Sequence, residues 1–150
     1  MLVCDANGLG LAATALPGHR HESLVFEATM NAVRIPTPGR GRPARRPVRL
    51  GADKAFSNQR IRLWCRGHRI RASIPIKADQ RRQQLAKRRR LPAFDRGVYR
   101  GRNIIERLNG WLKEFRAVAT RYDKYARNFL GTVQVALLSR TLRTHFSNSA

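Results

Sequence analysis

A single glutamate lies among side chains that could bind a phosphate group. Placed on a helix at about 100° per residue, Tyr99, Arg102, Glu106 and Lys113 fall within an arc of about 60°. The opposite face has the apolar pattern of a helix that packs on a core, formed by Ile104, Ile105, Leu108, Trp111, Leu112 and Phe115. A carboxylate beside a phenol and two cations could hold a metal ion next to a phosphate, whereas Arg102 and Glu106 alone could form a simple surface ion pair.

A second carboxylate, Asp53, follows a predicted strand at residues 48–52. The carboxyl ends of strands in α/β sheets are where binding and catalytic sites assemble. Together with Glu106 on a helix beside the sheet, Asp53 would be a natural ligand for Mg²⁺, which prefers oxygen donors. A two-metal site, with ions about 3.5–4 Å apart, normally needs a third carboxylate between them. The simpler interpretation of Asp53 is that it ends the strand and begins a turn.

The residues after Asp53 predict a parallel crossover. Residues 57–66 form a predicted helix with Ser57 as its N-cap, and Gly67 is predicted to end it. Residues 69–76 then alternate apolar and polar side chains, as a half-buried strand does. Strand, helix and strand in this order imply a right-handed unit with two parallel strands.

The remaining segments predict an α/β protein in which helices flank a sheet. A hairpin joins Leu2–Cys4 to residues 9–16 through the turn Asp5-Ala6-Asn7-Gly8, so Asp5 is assigned to the turn. Residues 79–88 could be a helix or a surface loop. Predicted helices also occupy residues 22–33, 98–118 and 124–143, and Trp64 and Trp111 are assigned to core packing.

Charge is the unusual bulk property of the chain. Its 150 residues include 31 Lys and Arg against 9 Asp and Glu, for a formal net charge of +22. Such a field repels itself unless a polyanion neutralises it, and nucleic acid is the usual polyanion. The basic loop at residues 34–48 is either a solvated loop or an arm that contacts phosphates through Arg40, Arg42, Arg45 and Arg46. A second strongly basic segment covers residues 77–92.

Cysteine usage and hydropathy suggest a compartment. Cys4 and Cys65 form no CxxC pair, which fits a reducing cytosol. The first residues lack the basic region of a signal peptide, and no apolar run approaches the roughly 20 residues of a membrane helix. The expectation is a cytoplasmic protein associated with the bacterial nucleoid, without a membrane partner.

The two acidic segments resemble a known family. Tyr99, Arg102, Glu106 and Lys113 match the Y-x2-R-x3-E-x6-K signature of bacterial insertion-sequence DDE transposases at all four positions. Asp53-Lys54-Ala55-Phe56 resembles the second-acid motif of that family, and the run ATRYDKYARN at residues 119–128 is similar too. The resemblance implies an RNase H-like mixed sheet with flanking helices, whose acids hold Mg²⁺, cut DNA at transposon ends and support strand transfer.

The resemblance also assigns roles to individual residues. It implies that Asp53 is the second catalytic acid and Glu106 the third, and that both bind Mg²⁺. It further implies that Tyr99, Arg102 and Lys113 hold the DNA backbone near the cleavage point.

One departure from the family concerns the first catalytic aspartate, which lies on a strand upstream of the hairpin. No such strand precedes Leu2, so the interpretation is a partial, N-terminally truncated catalytic domain covering residues 1–150 that is inactive alone. It is either a second reading frame joined to an upstream-frame transposase segment or a decayed remnant, and an oligomer is possible. The alternative is a non-enzymatic basic nucleic-acid-binding protein, either a remnant or of ribosomal type.

Overall fold

The computed structural model describes residues 1–35, 41–120 and 123–147. Within these ranges, the strands are β1 (Leu2–Cys4), β2 (Gly10–Ala13), β3 (Arg49–Gly51) and β4 (Arg71–Ser73). The helices are α1 (Phe26–Ala32), α2 (Gln59–Gly67), α3 (Ala78–Ala86), α4 (Arg96–Arg100), α5 (Asn103–Glu114), α6 (Arg116–Ala119) and α7 (Ala126–Ser147). Short 3-10 helices cover Glu22–Val25 and Lys54–Phe56. The predicted mixed α/β class is confirmed.

The predicted hairpin is present and its turn contains Asp5. The Asp5 carboxylate oxygen Oδ1 accepts the backbone N–H groups of Asn7 at 2.9 Å and Leu9 at 2.8 Å, as a turn residue does. β1 and β2 pair antiparallel. β2 is shorter than the predicted strand at residues 9–16, and Thr14, just beyond it, exchanges backbone hydrogen bonds with Met1 at 2.8 and 2.9 Å.

The predicted parallel crossover is also confirmed, since β3 pairs parallel with β4 and α2 connects them. Two details of that prediction are wrong. The N-cap of α2 is Asn58, whose Oδ1 accepts the Ile61 N–H at 2.8 Å, whereas Ser57 is buried and bonds elsewhere. Gly67 remains inside the helix, and the left-handed residue that follows is Arg69, with φ of 58°.

Both pairs of strands lie between two layers of helices. On one side, Val3 and Leu50 contact a core built around Phe26 and Met30 of α1. On the other side, Leu2 and Cys4 contact a second core formed by Leu108, Leu112, Val118, Val133, Ala136 and Leu137. Neighbouring residues of β1 therefore point into opposite cores, as alternation along a strand requires.

The helices on this second side give the order of the strands. α7 contacts β2, α5 contacts β1, and α4 contacts both β3 and β4. Because α4 and α5 are consecutive along the chain, β1 lies nearer to β3 than β2 does. Among the described residues the strands form two separate two-stranded sheets, β1–β2 and β3–β4.

The predicted single helix at residues 98–118 is wrong, because the chain is divided into α4, α5 and α6. At the first break, the N–H of Arg102 donates to the carbonyl of Tyr99 and that of Ile104 donates to Gly101, which tightens the chain into a 3-10 turn. At the second break, Phe115 is extended and ends α5. The predicted apolar face is nonetheless correct, since Leu108 and Leu112 are buried.

The other helices differ little from the prediction. Residues 22–33 begin as a 3-10 helix and continue as α1, and most of the ambiguous residues 79–88 belong to α3. The last helix extends to Ser147. Trp64 meets the buried Phe26 ring edge-on at 5.6 Å and Trp111 packs on Phe115 at 4.6 Å, which confirms that both tryptophans belong to cores. Within the described ranges, we find no helix with the length and apolar composition needed to cross a membrane.

Candidate active site

Asp53 projects from the carboxyl end of the parallel strand pair. It lies two residues after β3, is exposed, and its Oδ1 accepts the N–H of Lys54 at 2.6 Å. This bond makes Asp53 the N-cap of the 3-10 helix Lys54–Phe56, which the buried Phe56 anchors in the core. Asp53 therefore does begin a turn, and the same turn fixes the direction of its carboxylate.

Two contacts hold α4 against this end of the sheet. At Gly51, a Cβ atom would lie 3.0 Å from the carbonyl oxygen of Val98, so the absence of a side chain lets the α4 backbone approach β3 closely. At β4, the buried Ser73 Oγ donates to the carbonyl of Asp95 at 2.7 Å and accepts the Asp95 N–H at 3.0 Å. The start of α4 is thus fixed to the last residues of both parallel strands.

Three of the four predicted signature side chains form one connected group on α4 and α5. The guanidinium carbon Cζ of Arg102 lies 5.3 Å from the centre of the Tyr99 ring, a cation–π contact. Its Nη2 lies 2.9 Å from Oε1 of Glu106. The Arg102 side chain is only 25% exposed, whereas that of Glu106 is 58% exposed, so the carboxylate faces solvent while the guanidinium is held between its neighbours.

The remaining predicted cations are more dispersed. Lys113 is exposed near the end of α5, and within the described residues it forms neither an ion pair nor a hydrogen bond. Arg42, Arg45 and Arg46 are exposed on the basic loop, which a two-way backbone bridge between residues 35 and 44 closes at its base. Arg45 and Arg46 line a surface depression together with a residue of α1. Arg40 lies outside the described residues.

Residues 94 and 95 belong to this region but were missed by the sequence reasoning. The ring of Phe94 packs 5.3 Å from that of Tyr99 and is 43% exposed. Asp95 is the N-cap of α4, because its Oδ1 accepts the N–H of Val98 at 3.1 Å. An aspartate three residues before a helical valine was the signal that could have identified this cap.

The donor chemistry of the two acids fits Mg²⁺. Asp53 and Glu106 each use one carboxylate oxygen for a neighbouring group, and in the described structure their second oxygens have no hydrogen-bond partner. Mg²⁺ is commonly held by one or two carboxylates while it keeps several waters and substrate phosphate oxygens. The described residues contain no group of three or more His, Cys, Asp or Glu side chains placed to hold a metal ion. Within the described structure, each of the two acids thus has a free oxygen of the kind that Mg²⁺ prefers, and Glu106 lies beside an arginine whose guanidinium suits phosphate.

The acid at the strand end and the Arg102–Glu106 pair on the neighbouring helices define the candidate site, and comparison with known proteins identifies the family. The family described as "Transposase DDE domain" matches residues 50–143. A curated relative, a putative transposase for insertion sequence element IS402 from Burkholderia cepacia, is 30% identical over 125 residues. The match covers 83% of this chain and 53% of that protein.

The chain therefore belongs to the DDE transposase domain family, and the resemblance to bacterial insertion-sequence transposases is confirmed. It spans about half the length of the curated relative. No solved structure matches the chain.

Proposed function

We propose that this chain is part of an RNase H-like catalytic domain that cuts and joins DNA, with Asp53 and Glu106 as Mg²⁺ ligands. The observation that carries the proposal is the connected group Tyr99–Arg102–Glu106, fixed by α4 to the strand end from which Asp53 projects. Membership of the DDE transposase family supports the same assignment.

Each side chain of the group has a role that follows from its chemistry. Bound Mg²⁺ would activate a water or hydroxyl nucleophile and stabilise the leaving oxygen in phosphoryl transfer. Arg102 presents a planar guanidinium whose donors match the oxygens of a phosphodiester, and its contact with the Tyr99 ring limits its motion. Lys113 and the arginines of the basic loop, Arg40, Arg42, Arg45 and Arg46, would contact the DNA backbone farther from the reacting phosphate.

In the described part of the chain, β1 has one edge that no strand pairs with. Met1 and Thr14 exchange two backbone hydrogen bonds, of 2.8 and 2.9 Å, so they form a hydrogen-bonded pair of the hairpin. Because such pairs alternate along antiparallel strands, the peptide groups of Leu2 point away from β2. The register shifts between Val3 and Cys4, but the Asp5 N–H again donates to the Leu9 carbonyl at 3.0 Å, so the peptide groups of Cys4 also point away. That edge lies on the side of β3, and its side chains face the two cores.

β3 likewise has one edge that none of the described strands pairs with. Val48 accepts a backbone hydrogen bond from Arg71 at 2.9 Å, and Ala52 donates one to Ser73 at 3.3 Å. By the same alternation, the peptide groups of Arg49 and Gly51 point away from β4, toward β1. Unpaired edges of this kind accept an additional strand.

We infer that an extended segment, antiparallel to β1 and parallel to β3, joins the two strand pairs into one mixed sheet and supplies a third carboxylate. The two cores on either side require apolar side chains on both faces of this strand. The segment would belong to a transposase polypeptide encoded in an upstream frame, and the isolated chain would then be inactive. A chain that is a decayed remnant of a transposase would be inactive too. The assembled protein would act on transposon ends and target DNA at the bacterial nucleoid, and could be oligomeric.

The test combines the 150-residue chain with the polypeptide encoded immediately upstream. We expect Mg²⁺-dependent cleavage of the element's terminal DNA by the mixture but not by the chain alone, and loss of cleavage in Asp53→Ala and Glu106→Ala. Hydrogen exchange should show new protection at Leu2, Cys4, Arg49 and Gly51 in the mixture. Cleavage that survives both acid substitutions would exclude this active site. Cleavage by the chain alone would instead refute the need for a second segment.

A further inference from the structure

The basic segment at residues 77–92 is a second cationic surface that the site described above does not include. It carries one acidic residue, Asp79, and seven cations: Lys77, Arg81, Arg82, Lys87, Arg88, Arg89 and Arg90. All seven are exposed. Within residues 1–35, 41–120 and 123–147, none of the seven pairs with a carboxylate, because the ion pairs present involve Met1, Arg60 and Arg102. Their mutual repulsion is thus uncompensated within the described protein.

A buried polar contact fixes this surface to the segment that follows Asp53. Gln80 of α3 accepts a hydrogen bond from the Ser57 hydroxyl at 2.9 Å and donates from Nε2 to the Ser57 carbonyl at 2.6 Å. Ser57 is 2% exposed and directly follows the 3-10 helix that Asp53 caps. Arg62 donates to the same hydroxyl at 3.1 Å and to the carbonyl of Ile74 at 2.9 Å. α3 therefore has a fixed position beside the Asp53 end of the site.

The end of α3 keeps the cations together. Arg88 adopts a left-handed backbone conformation, with φ of 49°, and its N–H donates to the carbonyl of Leu85 at 3.0 Å. The N–H of Arg89 donates to Gln84 at 2.8 Å, so the chain folds back over the last turn of the helix. Arg81 and Arg82 therefore share one short element with the run at residues 87–90.

We propose that α3 and the run that follows it bind the phosphate backbone of duplex DNA on the Asp53 side of the active site. Rows of unpaired arginines suit a polyanion with regularly spaced charges, and their forks match its phosphate oxygens. Contacts from these cations to phosphate groups would strengthen DNA binding and fix the position of the protein along the duplex, but they would not distinguish one base sequence from another. This inference rests on the proposed function for its DNA partner.

The test compares charge variants of the full chain in binding to a labelled 30-base-pair duplex. The variant Arg81→Gln/Arg82→Gln removes two exposed charges, whereas Arg81→Lys/Arg82→Lys keeps them. The matched control, Arg127→Gln/Arg143→Gln, removes two exposed charges from α7, which contacts β2 at the opposite end of the strand order. Affinity is measured by fluorescence anisotropy between 50 and 200 mM salt.

Each phosphate contact adds about 0.9 to the slope of log affinity against log salt. The loss of two phosphate contacts in Arg81→Gln/Arg82→Gln therefore reduces this slope by about 1.8. Between 50 and 200 mM salt, a fourfold range, the affinity of the wild-type chain should then fall by about 12-fold more than the affinity of the variant does. The lysine variant and the α7 control should retain the wild-type slope. Equal slopes for all variants, or equal reductions in the α3 and α7 variants, would overturn the α3 surface while leaving the active-site proposal intact. A wild-type chain that does not bind the duplex would also overturn the α3 surface, whereas the active-site proposal is decided by acid-dependent cleavage in the mixture with the upstream polypeptide.

Discussion

Replacing Gly51 by alanine should displace α4 from β3 and thereby disturb the candidate site. The added Cβ would lie 3.0 Å from the Val98 carbonyl oxygen and 3.4 Å from Val98 Cγ1. The first contact involves backbone, so relief requires a shift of α4 itself. Tyr99 follows Val98 directly and its ring contacts Arg102, so the shift reaches the phosphate-binding group.

Two opposing effects set the size of the change in stability. Overpacking typically costs about 1–3 kcal/mol. Gly51 does not have a positive φ, so alanine also restricts the unfolded chain and returns about 0.4–1 kcal/mol. The net expectation is a destabilisation of about 0–2.6 kcal/mol, which at about 2–4 °C per kcal/mol lowers the melting temperature by up to roughly 10 °C.

Urea denaturation measures this change, and another glycine offers a matched control. Gly110 lies inside α5, and a Cβ there would meet no atom within 4 Å. Gly110→Ala should therefore stabilise the chain by about 0.5–1 kcal/mol through helix propensity alone. If Gly51→Ala raised stability as much as Gly110→Ala does, the close approach of α4 to β3 would not hold this site together.

Three other perturbations give distinct results. Ser73→Ala removes both hydrogen bonds to the Asp95 backbone and should cost about 1–3 kcal/mol in urea denaturation, whereas no loss would show that Ser73 does not anchor α4. Arg102→Ala should change the free energy of unfolding by less than about 0.5 kcal/mol, because the ion pair with Glu106 is partly exposed. The same variant should nevertheless bind DNA more weakly in fluorescence anisotropy. Unchanged DNA binding would exclude a contact between Arg102 and phosphate. Burial raises the pKa of the Cys4 and Cys65 thiols from 9.0 to about 11, so the unfolded chain loses these protons at lower pH than the folded chain does. The free energy of unfolding should therefore fall as pH rises from 9 to 11, and Cys65→Ala should flatten that fall. An unchanged pH dependence in Cys65→Ala would contradict the contribution of this buried thiol.

The sequence predicted the parts of the site that depend on local spacing. The Arg102–Glu106 contact follows from a separation of four residues on a helix, and the turn role of Asp5 follows from its Asp-Ala-Asn-Gly context. The contacts that bring α4 to the strand ends could not be predicted in this way. Ser73 and Asp95 are 22 residues apart, and no periodicity relates them. The same holds for Gly51, whose importance appears only when Val98 packs against it.

The break between α4 and α5 explains why a helical wheel still placed Tyr99, Arg102 and Glu106 together. The break lies at Gly101 and Arg102, where α4 ends and α5 begins. The chain from Arg102 to Glu106 follows the break and forms the first turn of α5, so these two side chains keep their helical spacing. Tyr99 is joined to Arg102 through a 3-10 turn, closed by the hydrogen bond from the Arg102 N–H to the Tyr99 carbonyl at 3.1 Å. Side chains three residues apart eclipse each other in a 3-10 turn, whereas they diverge by about 60° in an α-helix. The irregular turn therefore places the guanidinium over the ring more directly than the predicted continuous helix would.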